Sequence, residues 1–326
     1  MKITIIIPNY NGKRFLKPCL ESLAVQSCTD FRILVVDNHS TDGSIEYIQT
    51  HYPNVRLLKL KKNYGFSAAV NAGIRRSATP YVILLNNDTT VEPCFVEELL
   101  KAIEQSPGIF SVSSKMLQMH HPDLIDGAGD LYTLPGWSVA RGAGRPADNY
   151  SAPGPVFSAC AGAAIYRRSV FEEIGLFDVS HFAYLEDIDI GYRARIYGYQ
   201  NRYCPTAIVY HVGSGTSGSK YNSFKVRTSA RNSIWLVYKN MPFLQLLLNL
   251  IPLLAGFFIK GIFFCKTGFG KDYLEGLLEG IRGLKKCRKV RFSPRHLLSY
   301  IKIEALLILY TFLYMEDWGN RKIFKI

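Results

Sequence analysis

The sequence predicts an α/β protein built on a doubly wound, mostly parallel sheet. Apolar runs rich in β-branched residues alternate with helical patterns through the first hundred residues. Four of these runs are continuous, and each is followed by a polar or glycine-containing turn. Continuous apolar strands are typical of parallel sheets whose two faces are both covered by helices.

The predicted elements alternate along the first part of the chain. Strands are expected over residues 3–7, 31–36, 55–60 and 81–85, and helices over residues 13–25, after residue 44, and over residues 67–76 and 95–103. Apolar side chains recur at helical spacing in the predicted helices. The first run, MKITIIIP, is too short for a signal peptide and ends at a proline, so it is interpreted as a buried strand.

The pattern weakens after the fourth strand and its helix. Residues 107–155 are rich in glycine and proline, and they are expected to form irregular connections or short strands. A strand is expected within residues 159–166 and a helix over about residues 186–197. Two apolar helices are expected further on, over residues 243–259 and 303–315.

Charge is distributed unevenly along the chain. The 326 residues include 39 Lys and Arg and 26 Asp and Glu, for a formal net charge of +13. Residues 1–218 hold 20 of each kind, which leaves 19 basic and 6 acidic residues in the rest. We therefore expect a neutral domain over residues 1–218 and a basic, apolar helical region over residues 219–326. Such a basic excess indicates an anionic partner, either nucleic acid or a membrane.

Composition excludes two classes of protein. At 326 residues and 48% hydrophobic, the chain is too long for a small disulfide-stapled scaffold and too apolar for a disordered protein. Its seven cysteines are an odd number, and none lies in a CxxC pair. This favours reduced thiols in the cytoplasm, without a zinc site or a disulfide framework.

Ligands of doubly wound sheets bind at the carboxyl ends of the strands, where this sequence has polar or glycine-containing turns. The residues found there are Pro8, Asn9 and Tyr10, then Asp37, then Asn63 and Gly65, then Asn86, Asn87 and Asp88. No GxGxxG pattern follows the first strand, which disfavours a dinucleotide-binding domain.

Asp37 and Asp88 each admit two interpretations. Asp37 is either a cap for the following helix or a carboxylate that accepts the N3–H of a pyrimidine base, and taken alone the cap is favoured. Asp88 is either a cap for the helix near Glu92 or a ligand of Mg²⁺ or Mn²⁺, ions that bind through one or two carboxylates plus substrate phosphates. The sequence leaves the choice for Asp88 open.

An acidic cluster opens the helix that is expected from residue 186. Asp189 is explained by its favourable interaction with the helix dipole. Glu186 and Asp187 adjoin an apolar aromatic segment, where a carboxyl group of raised pKa would suit general-base catalysis. His211 precedes a loop rich in glycine and serine; it is either a metal ligand, a phosphate-loop anchor or, as is commoner for a lone histidine, a structural residue.

Seven segments occur in an order that is typical of one family. They are IIIPNYNG, ILVVDNHSTDGS, KKNYGFSAAVNAGI, VILLNNDTTV, CAGAAIYRRSVFEEIGLFD, FAYLEDIDIGYRARIYGY and YHVGSGTS. Through them the chain resembles the family 2 inverting glycosyltransferases of the GT-A fold, and more narrowly their rhamnosyltransferase-like branch. The resemblance covers about residues 1–240. It implies transfer of a sugar, L-rhamnose for this branch, from a nucleoside-diphosphate sugar to a lipid-linked or cell-surface glycan.

The resemblance also implies where the donor binds. Asp37 would recognise the uracil or thymine base of a UDP- or dTDP-sugar, and Gly162 would lie beneath the donor sugar. The full set of implied donor-binding residues is Pro8, Asn9, Tyr10, Asp37, Asn63, Gly65, Asn87, Asp88 and Gly162.

The metal site and the base follow from the same resemblance. Asp88 matches the last acid of a DxD-type motif that reads Asn86-Asn87-Asp88 here, so one carboxylate remains to hold Mg²⁺ or Mn²⁺, with His211 as second ligand. Asp187, with Glu186 beside it, matches the catalytic base. It would remove the proton of the acceptor hydroxyl while the diphosphate leaves. One displacement inverts the anomeric centre, so no enzyme nucleophile is expected.

The C-terminal third is predicted to meet a membrane. Residues 243–259 carry no charge but are close to the lower limit of about 17–25 residues for a spanning helix. An interfacial or re-entrant helix is therefore favoured over a span, and a buried core helix is the remaining alternative. Residues 282–295 hold seven basic residues and no acid, which predicts that residues 241–326 bind anionic lipid or a lipid-diphosphate acceptor. The expected location is the cytoplasmic face of the cell membrane, peripheral or monotopic, with a single span as the alternative.

Parts of the sequence are compatible with two other functions. A nucleic-acid-binding protein is disfavoured, and no nucleic-acid partner is expected, because the basic residues are interleaved with long apolar runs and no known module is present. A catalytically inactive membrane scaffold on the same fold is supported by the reduced Asn86-Asn87-Asp88 motif. The intact Glu186-Asp187 pair and His211 oppose it.

Overall fold

The structure, a computed structural model, describes residues 1–213 and 221–323. Within these residues twelve strands occur: β1 Ile3–Asn9, β2 Phe31–Asp37, β3 Arg56–Lys59, β4 Tyr81–Leu85, β5 Thr89–Val91, β6 Ile109–Gln118, β7 His121–Gly127, β8 Asp130–Tyr132, β9 Ser138–Ala140, β10 Gly154–Pro155, β11 Ala163–Arg167 and β12 Gln200–His211. Strands β8 and β9 pair with each other, and the other ten form one sheet.

The sheet is mostly parallel, as predicted. Its strand order is β10-β12-β6-β11-β4-β1-β2-β3, with β5 beside β12 and β7 beside β6. Strands β1, β2, β3, β4, β6 and β12 run in one direction, and the other four run against them. The carboxyl ends of the first four strands therefore meet at one edge, which brings their polar turns together.

Helices cover both faces of this sheet, which confirms the doubly wound arrangement. Six of them belong to this part of the chain: α1 Lys13–Ala24, α2 Ser44–His51, α3 Phe66–Arg76, α4 Phe95–Glu104, α5 Val170–Ile174 and α6 Glu186–Ile196. On one face Leu20 of α1 and Phe95 of α4 enter the core. On the other face Val70 of α3 and Ile190 of α6 do so.

Strand β6 was missed by the sequence analysis. It is ten residues long and lies between β12 and β11, so the expectation of irregular structure was wrong for residues 109–118. Serines interrupt its apolar pattern, yet they are buried and hydrogen-bonded: Ser111 Oγ donates to Asn201 Oδ1 at 2.8 Å, and Ser114 Oγ donates to the carbonyl of Ala163 at 2.7 Å. Satisfied hydroxyl groups can be buried at little cost, so a central strand needs no continuous apolar run.

The C-terminal third is helical, as predicted, but its division differs. The helices are α7 Ser223–Asn240, α8 Phe243–Leu248, α9 Leu250–Lys266, α10 Gly270–Gly283 and α11 Leu297–Ile323. The apolar run 243–259 is interrupted at Asn249, whose side-chain amide lies 3.0 and 2.9 Å from the carboxylate oxygens of Glu304. In the described part of the chain one helical stretch, Pro294–Gly319, is long and apolar enough to cross a membrane. The candidate span is thus the last helix and not residues 243–259.

Helix α11 packs along the domain that contains the sheet. Its buried side chains are Tyr300, Ile303, Leu307 and Tyr310. Thr311 Oγ1 accepts the amide proton of Leu134 at 3.0 Å, and six residues further along the helix Arg145 Nε lies 2.7 Å from Asp317 Oδ1. The predicted domain division after residue 218 lies outside the described residues and stays a prediction.

Candidate functional site

One cavity of about 970 Å³ lies at the carboxyl edge of the sheet. It brings together eleven of the twelve residues that the sequence analysis singled out: Pro8, Asn9, Tyr10, Asn63, Gly65, Asn87, Asp88, Gly162, Glu186, Asp187 and His211. Asp37 is the twelfth and does not line this cavity. The predicted residues, which are up to 203 positions apart in sequence, therefore belong to one site.

Asp37 is buried behind the cavity wall, with 1% of its surface exposed. Its Oδ1 accepts a hydrogen bond from Asn9 Nδ2 at 3.0 Å, and its Oδ2 accepts one from the backbone amide of Ser40 at 2.9 Å. Asn9 Oδ1 in turn accepts from Asn87 Nδ2 at 2.7 Å. This chain of hydrogen bonds joins the ends of β2, β1 and β4. In this arrangement Asp37 orients Asn9, and its contact with a base stays a prediction.

A second set of amide contacts surrounds the turn after β3. Asn38 Nδ2 donates to Asn63 Oδ1 at 2.9 Å and to the carbonyl of Gly65 at 3.1 Å. Gly65 has φ +85°, and a Cβ on it would lie 2.5 Å from the carbonyl oxygen of Phe182. Only glycine suits this position. Asn38 follows Asp37 at the same strand end, where the sequence predicts a polar turn, but no binding role was expected for it.

His211 lies between two carboxylates. Its Nδ1 is 2.8 Å from Asp126 Oδ2, and its Nε2 is 3.3 Å from Asp88 Oδ1. Burial opposes charge on the imidazole, but hydrogen bonds to Asp126 and Asp88 outweigh burial and raise the pKa of His211 to about 9. The two predicted metal ligands, Asp88 and His211, thus lie side by side, and their role as ligands stays a prediction. The glycine- and serine-rich loop after His211, from residue 214 to 218, lies outside the described residues.

The arrangement around His211 fits a divalent metal. A histidine that binds a metal usually directs its other ring nitrogen at a carboxylate, which sets the tautomer and the ring orientation. Asp126 supplies that carboxylate, so Nε2 of His211 and the carboxylate of Asp88 could bind one ion together. Asn87 uses its amide within the protein, which agrees with a motif that retains one carboxylate. Asp126 was missed; an acid inside the glycine-rich stretch DLIDGAGD was the available signal.

Three carboxyl groups and a thiol meet where α6 begins. Asp187 is partly buried, and its Oδ1 accepts the backbone amide proton of Ile188 at 2.8 Å. Asp130 and Cys160 each present an atom within 4.8 Å of Asp187 and of each other. Glu186 precedes Asp187 and is buried, and its Oε2 has no hydrogen-bond partner among the described residues. Asp130 was also missed from the sequence.

Burial raises the pKa values of these carboxyl groups by different amounts. It raises the pKa of Asp187 to about 6. Burial, and then the charge of Asp187, raises the pKa of Glu186 to about 8. The same two causes, with a contribution from Glu186, raise the pKa of Asp130 well above its ordinary value. Near neutral pH, Asp187 is therefore mostly ionised, while Glu186 mostly keeps its proton.

The N-terminus of α7 closes another side of the cavity. Asn222, Ser223, Phe224 and Lys225 all line it. Asn222 caps the helix, since its Oδ1 accepts the amide proton of Lys225 at 2.8 Å. The ring of Phe224 meets the rings of Phe182 and Tyr184 edge-on, at centroid distances of 6.0 and 6.2 Å. The basic C-terminal third thus contributes directly to the site, which the sequence analysis did not foresee.

A second group of ligand-type side chains is structural. Asp178, His181 and Asp189 lie close enough together to hold a metal. However, Lys239 Nζ is 2.7 Å from Asp178 Oδ2 and 2.9 Å from Asp189 Oδ2, so an ammonium group already neutralises the acids. Lys239 and Arg193 hold the pKa of Asp189 far below its usual range despite its burial. This network fastens α7 to α6.

Comparison with known sequences finds a family match. The sequence model described as Glycosyl transferase family 2 matches residues 4–175. One similar protein is N-acetylglucosaminyl-diphospho-decaprenol L-rhamnosyltransferase of Mycobacterium tuberculosis. It is 29% identical over 243 residues, which are 66% of this chain and 78% of the relative.

Solved structures show the same fold. GalNAc-T7 with UDP, GalNAc and Mn²⁺ matches with a TM-score of 0.59 and 17% identity, over 73% of this chain and 47% of that one. This chain thus spans about half of GalNAc-T7. A mannosyltransferase from Pyrobaculum calidifontis in complex with GDP-Man and Mn²⁺ matches with a TM-score of 0.52 and 15% identity, over 96% of this chain and 82% of that one. The fold predicted from the sequence is confirmed.

Proposed function

The chain belongs to glycosyl transferase family 2, and from this premise we propose that it is an inverting enzyme that transfers L-rhamnose to a lipid-linked or cell-surface glycan. The donor in this proposal is a dTDP-sugar, with a UDP-sugar as the alternative. The observation that carries the proposal is one cavity that contains both the strand-end amides and a carboxylate suited to act as a base. Similarity to the mycobacterial rhamnosyltransferase supports the choice of sugar and of a lipid-linked acceptor.

In the proposed mechanism Asp187 is the general base. A sugar hydroxyl is a poor nucleophile until a base removes its proton in the transition state. With a pKa of about 6, Asp187 is ionised near neutrality and is still basic enough to accept that proton. Glu186, with a pKa of about 8, is mostly protonated beside it near neutrality, so it adds little negative charge that would drive the Asp187 pKa higher. The proton goes to Asp187, the acceptor oxygen bonds to the anomeric carbon, and the diphosphate leaves.

Donor binding is proposed for the amide-rich side of the cavity. In this proposal Asn9, Asn38 and Asn63 supply polar contacts for the nucleotide. Asp37 orients Asn9 from behind the cavity wall, and its recognition of the base N3–H, which the resemblance implies, stays a prediction. Asp88 and His211 would hold Mg²⁺ or Mn²⁺, which would balance the negative charge of the diphosphate. Gly162 lies next to Asn86, where a side chain would reduce the space for the donor sugar.

We also propose that the C-terminal helices rest on a membrane. Helices α8, α9 and α11 expose many large apolar side chains, among them Ile251 at 80% and Phe258 at 69%. Exposed apolar area of this extent on one group of helices marks an interaction surface. Because α11 packs on the sheet domain from Tyr300 to Asp317, an interfacial position suits it better than a full span. Basic residues between 282 and 295 would contact anionic headgroups.

The chemistry of the donor argues for the cytoplasmic face. Nucleoside-diphosphate sugars and reduced cysteines both belong to the cytoplasm, and the described cysteines are all unpaired. An enzyme that rests on the inner face could reach the sugar end of a lipid-linked acceptor without leaving the membrane surface. This location, like the sugar and the acceptor, is part of the proposal.

A transfer assay tests the central proposal. The full-length protein would be incubated with Mn²⁺, a lipid-diphosphate saccharide and each of dTDP-rhamnose, UDP-glucose, UDP-N-acetylglucosamine and GDP-mannose. We expect dTDP-rhamnose to yield product whose new linkage has the opposite anomeric configuration to the donor. Retained configuration would refute the single displacement, and turnover with another donor alone would refute rhamnose while leaving the family assignment intact.

A further inference from the structure

The segment before the Glu186-Asp187 pair has an unusual backbone. Phe182, Tyr184 and Leu185 have φ angles of 61°, 70° and 65°, although none of them is glycine. Phe182 has ψ −60°, and the amide of Ala183 donates to the carbonyl of His181 at 2.7 Å, which makes a tight γ-turn. Three left-handed residues in four are strained, and such strain persists only where surrounding contacts impose it.

A single side chain of α7 supplies most of these contacts. Asn232 is fully buried, and its Nδ2 lies 3.0, 2.9 and 2.8 Å from the carbonyl oxygens of His181, Ala183 and Tyr184. Its Oδ1 accepts a hydrogen bond from Arg231 Nε at 3.0 Å, which determines the direction of the amide. One amide group therefore binds two carbonyls of the strained segment and the carbonyl of His181 just before it.

The opposite side of the segment faces the donor region. The carbonyl of Phe182 accepts the amide proton of Ser67 at 3.4 Å, and the Phe182 ring packs on Gly65. Phe182, Ala183 and Tyr184 also line the cavity. The segment thus lies between the turn after β3 and helix α7, and it leads directly into the pair that contains the proposed base.

We propose that Asn232 is a positioning residue: it holds the segment of residues 182–185, with positive φ at Phe182, Tyr184 and Leu185, in its strained conformation and thereby sets the orientation of the Glu186-Asp187 pair in the cavity. The proposal rests on the proposed function in so far as Asp187 is the base. Asn232 does not line the cavity, so it acts through the segment and not on the substrate. The amide donates two protons to three acceptors, which no aliphatic side chain of similar size can do.

The test compares two buried asparagines of the same helix. In Asn232→Ala we expect kcat for transfer to fall by roughly 30- to 100-fold, because small misplacement of a reacting group has effects of that order. The donor KM should stay within about threefold, since the nucleotide contacts lie elsewhere. The matched control is Asn240→Ala, which removes an equally buried amide that binds Asp189 Oδ1 at 2.9 Å. The control should lower thermal stability but keep kcat within about threefold.

A second measurement does not depend on activity. Hydrogen–deuterium exchange should become faster in peptides covering residues 182–187 in Asn232→Ala, but not in Asn240→Ala, and β1 should be unchanged in both. Asn232→Asp, which keeps the shape but loses the donors, should behave like Asn232→Ala if the alanine variant is too unstable to purify. Unchanged exchange in the segment, or an equal loss of kcat in Asn240→Ala, would overturn the proposal. An inactive wild-type protein would contradict the proposed function instead, and the exchange result would then decide the role of Asn232.

Discussion

Nδ1 of His211 lies 2.8 Å from Oδ2 of Asp126, so the ring is held with its Nε2 directed at Asp88. The two residues are 85 positions apart and come from β12 and β7, which lie on opposite sides of β6. Neither strand alone would identify a metal site. In the proposed metal site this pairing would give His211 the orientation that a metal ligand needs.

We expect Asp126→Asn to weaken nucleotide binding in the presence of Mn²⁺ by about 10- to 100-fold, the usual effect of losing a carboxylate behind a metal-binding histidine. Titration calorimetry of dTDP and UDP, with and without Mn²⁺, would measure this. The matched control is Asp123→Asn, an exposed acid of the same strand, which should leave the affinity unchanged. Equal affinities for all three proteins would contradict the metal site.

Removal of the proposed base should stop transfer without stopping binding. In Asp187→Asn we expect kcat to fall by at least about 10³-fold, since general-base catalysis contributes roughly 10²–10⁴-fold and the amide is also poorly placed to accept a proton. Donor affinity, measured by the same calorimetry, should stay within about threefold. Glu172→Gln, an exposed carboxyl of α5, serves as control. Near-normal turnover of Asp187→Asn would eliminate this residue as the base.

The transfer rate should depend on pH through Asp187. Its pKa is raised to about 6, and only the ionised form can accept the acceptor's proton. We therefore expect kcat to be level above about pH 7 and to fall tenfold per pH unit well below 6. A profile measured from pH 4.5 to 9 at saturating donor and acceptor would show this acid limb. A rate that stays constant down to pH 4.5 would be incompatible with a base of this pKa.

The free energy of unfolding should fall as the pH rises, whereas the transfer rate should increase. Glu186 has a pKa raised to about 8 in the folded protein, so between its ordinary pKa of 4.5 and 8 the folded state keeps a proton that the unfolded state has lost. Its contribution is therefore fully present below 4.5 and is lost as the pH rises through 8. We expect Glu186→Gln to raise the melting temperature relative to wild type at pH 9 but hardly at pH 4.5. The free-energy difference at pH 9 should be on the order of 5 kcal/mol. Equal differences at both pH values would contradict a protonated Glu186.

Charges on the apolar helices should release the protein from lipid. In the double variant Ile251→Glu and Leu254→Glu, binding to vesicles that contain anionic lipid should fall by more than about tenfold, because each buried aliphatic side chain contributes roughly 1.5–3 kcal/mol. Flotation of protein with vesicles measures this. Val25→Glu is the control, since Val25 is 64% exposed but lies after α1 on the sheet domain. If the control lost as much binding as the double variant, another surface would have to be responsible.

Predictions from the sequence were best where a pattern is local. The first four strands and their helices could be placed because continuous apolar runs and helical spacing depend on neighbouring residues. The carboxyl ends of parallel strands meet at one edge, so the polar residues after the strands could be assigned to one site. Strand β6 was not predicted, because serines interrupt its apolar pattern. They can be buried only because residues such as Ser111 form hydrogen bonds with partners that are distant in sequence.

The division of the C-terminal third was harder to predict for a related reason. Residues 243–259 and 303–315 were both recognised as apolar helices, but hydropathy does not tell which one meets water, lipid or protein. Asn249 interrupts the first run where it binds Glu304, and that pairing joins helices 55 residues apart. The last helix has buried and exposed apolar side chains on different sides. It was therefore not recognised from the sequence as the candidate for a membrane span.

By itself the sequence determined the fold class, the family and eleven of the residues that line the cavity, since all three depend on short patterns and their order. Only the tertiary structure decided which side chains support them. Asp126 faces His211, Asp130 faces Asp187, and Asn232 holds the segment before Glu186, and each of these contacts joins residues at least 45 positions apart. Long-range contacts of this kind follow from the packing of strands and helices, and the burial that results also sets the pKa values of the carboxyl groups.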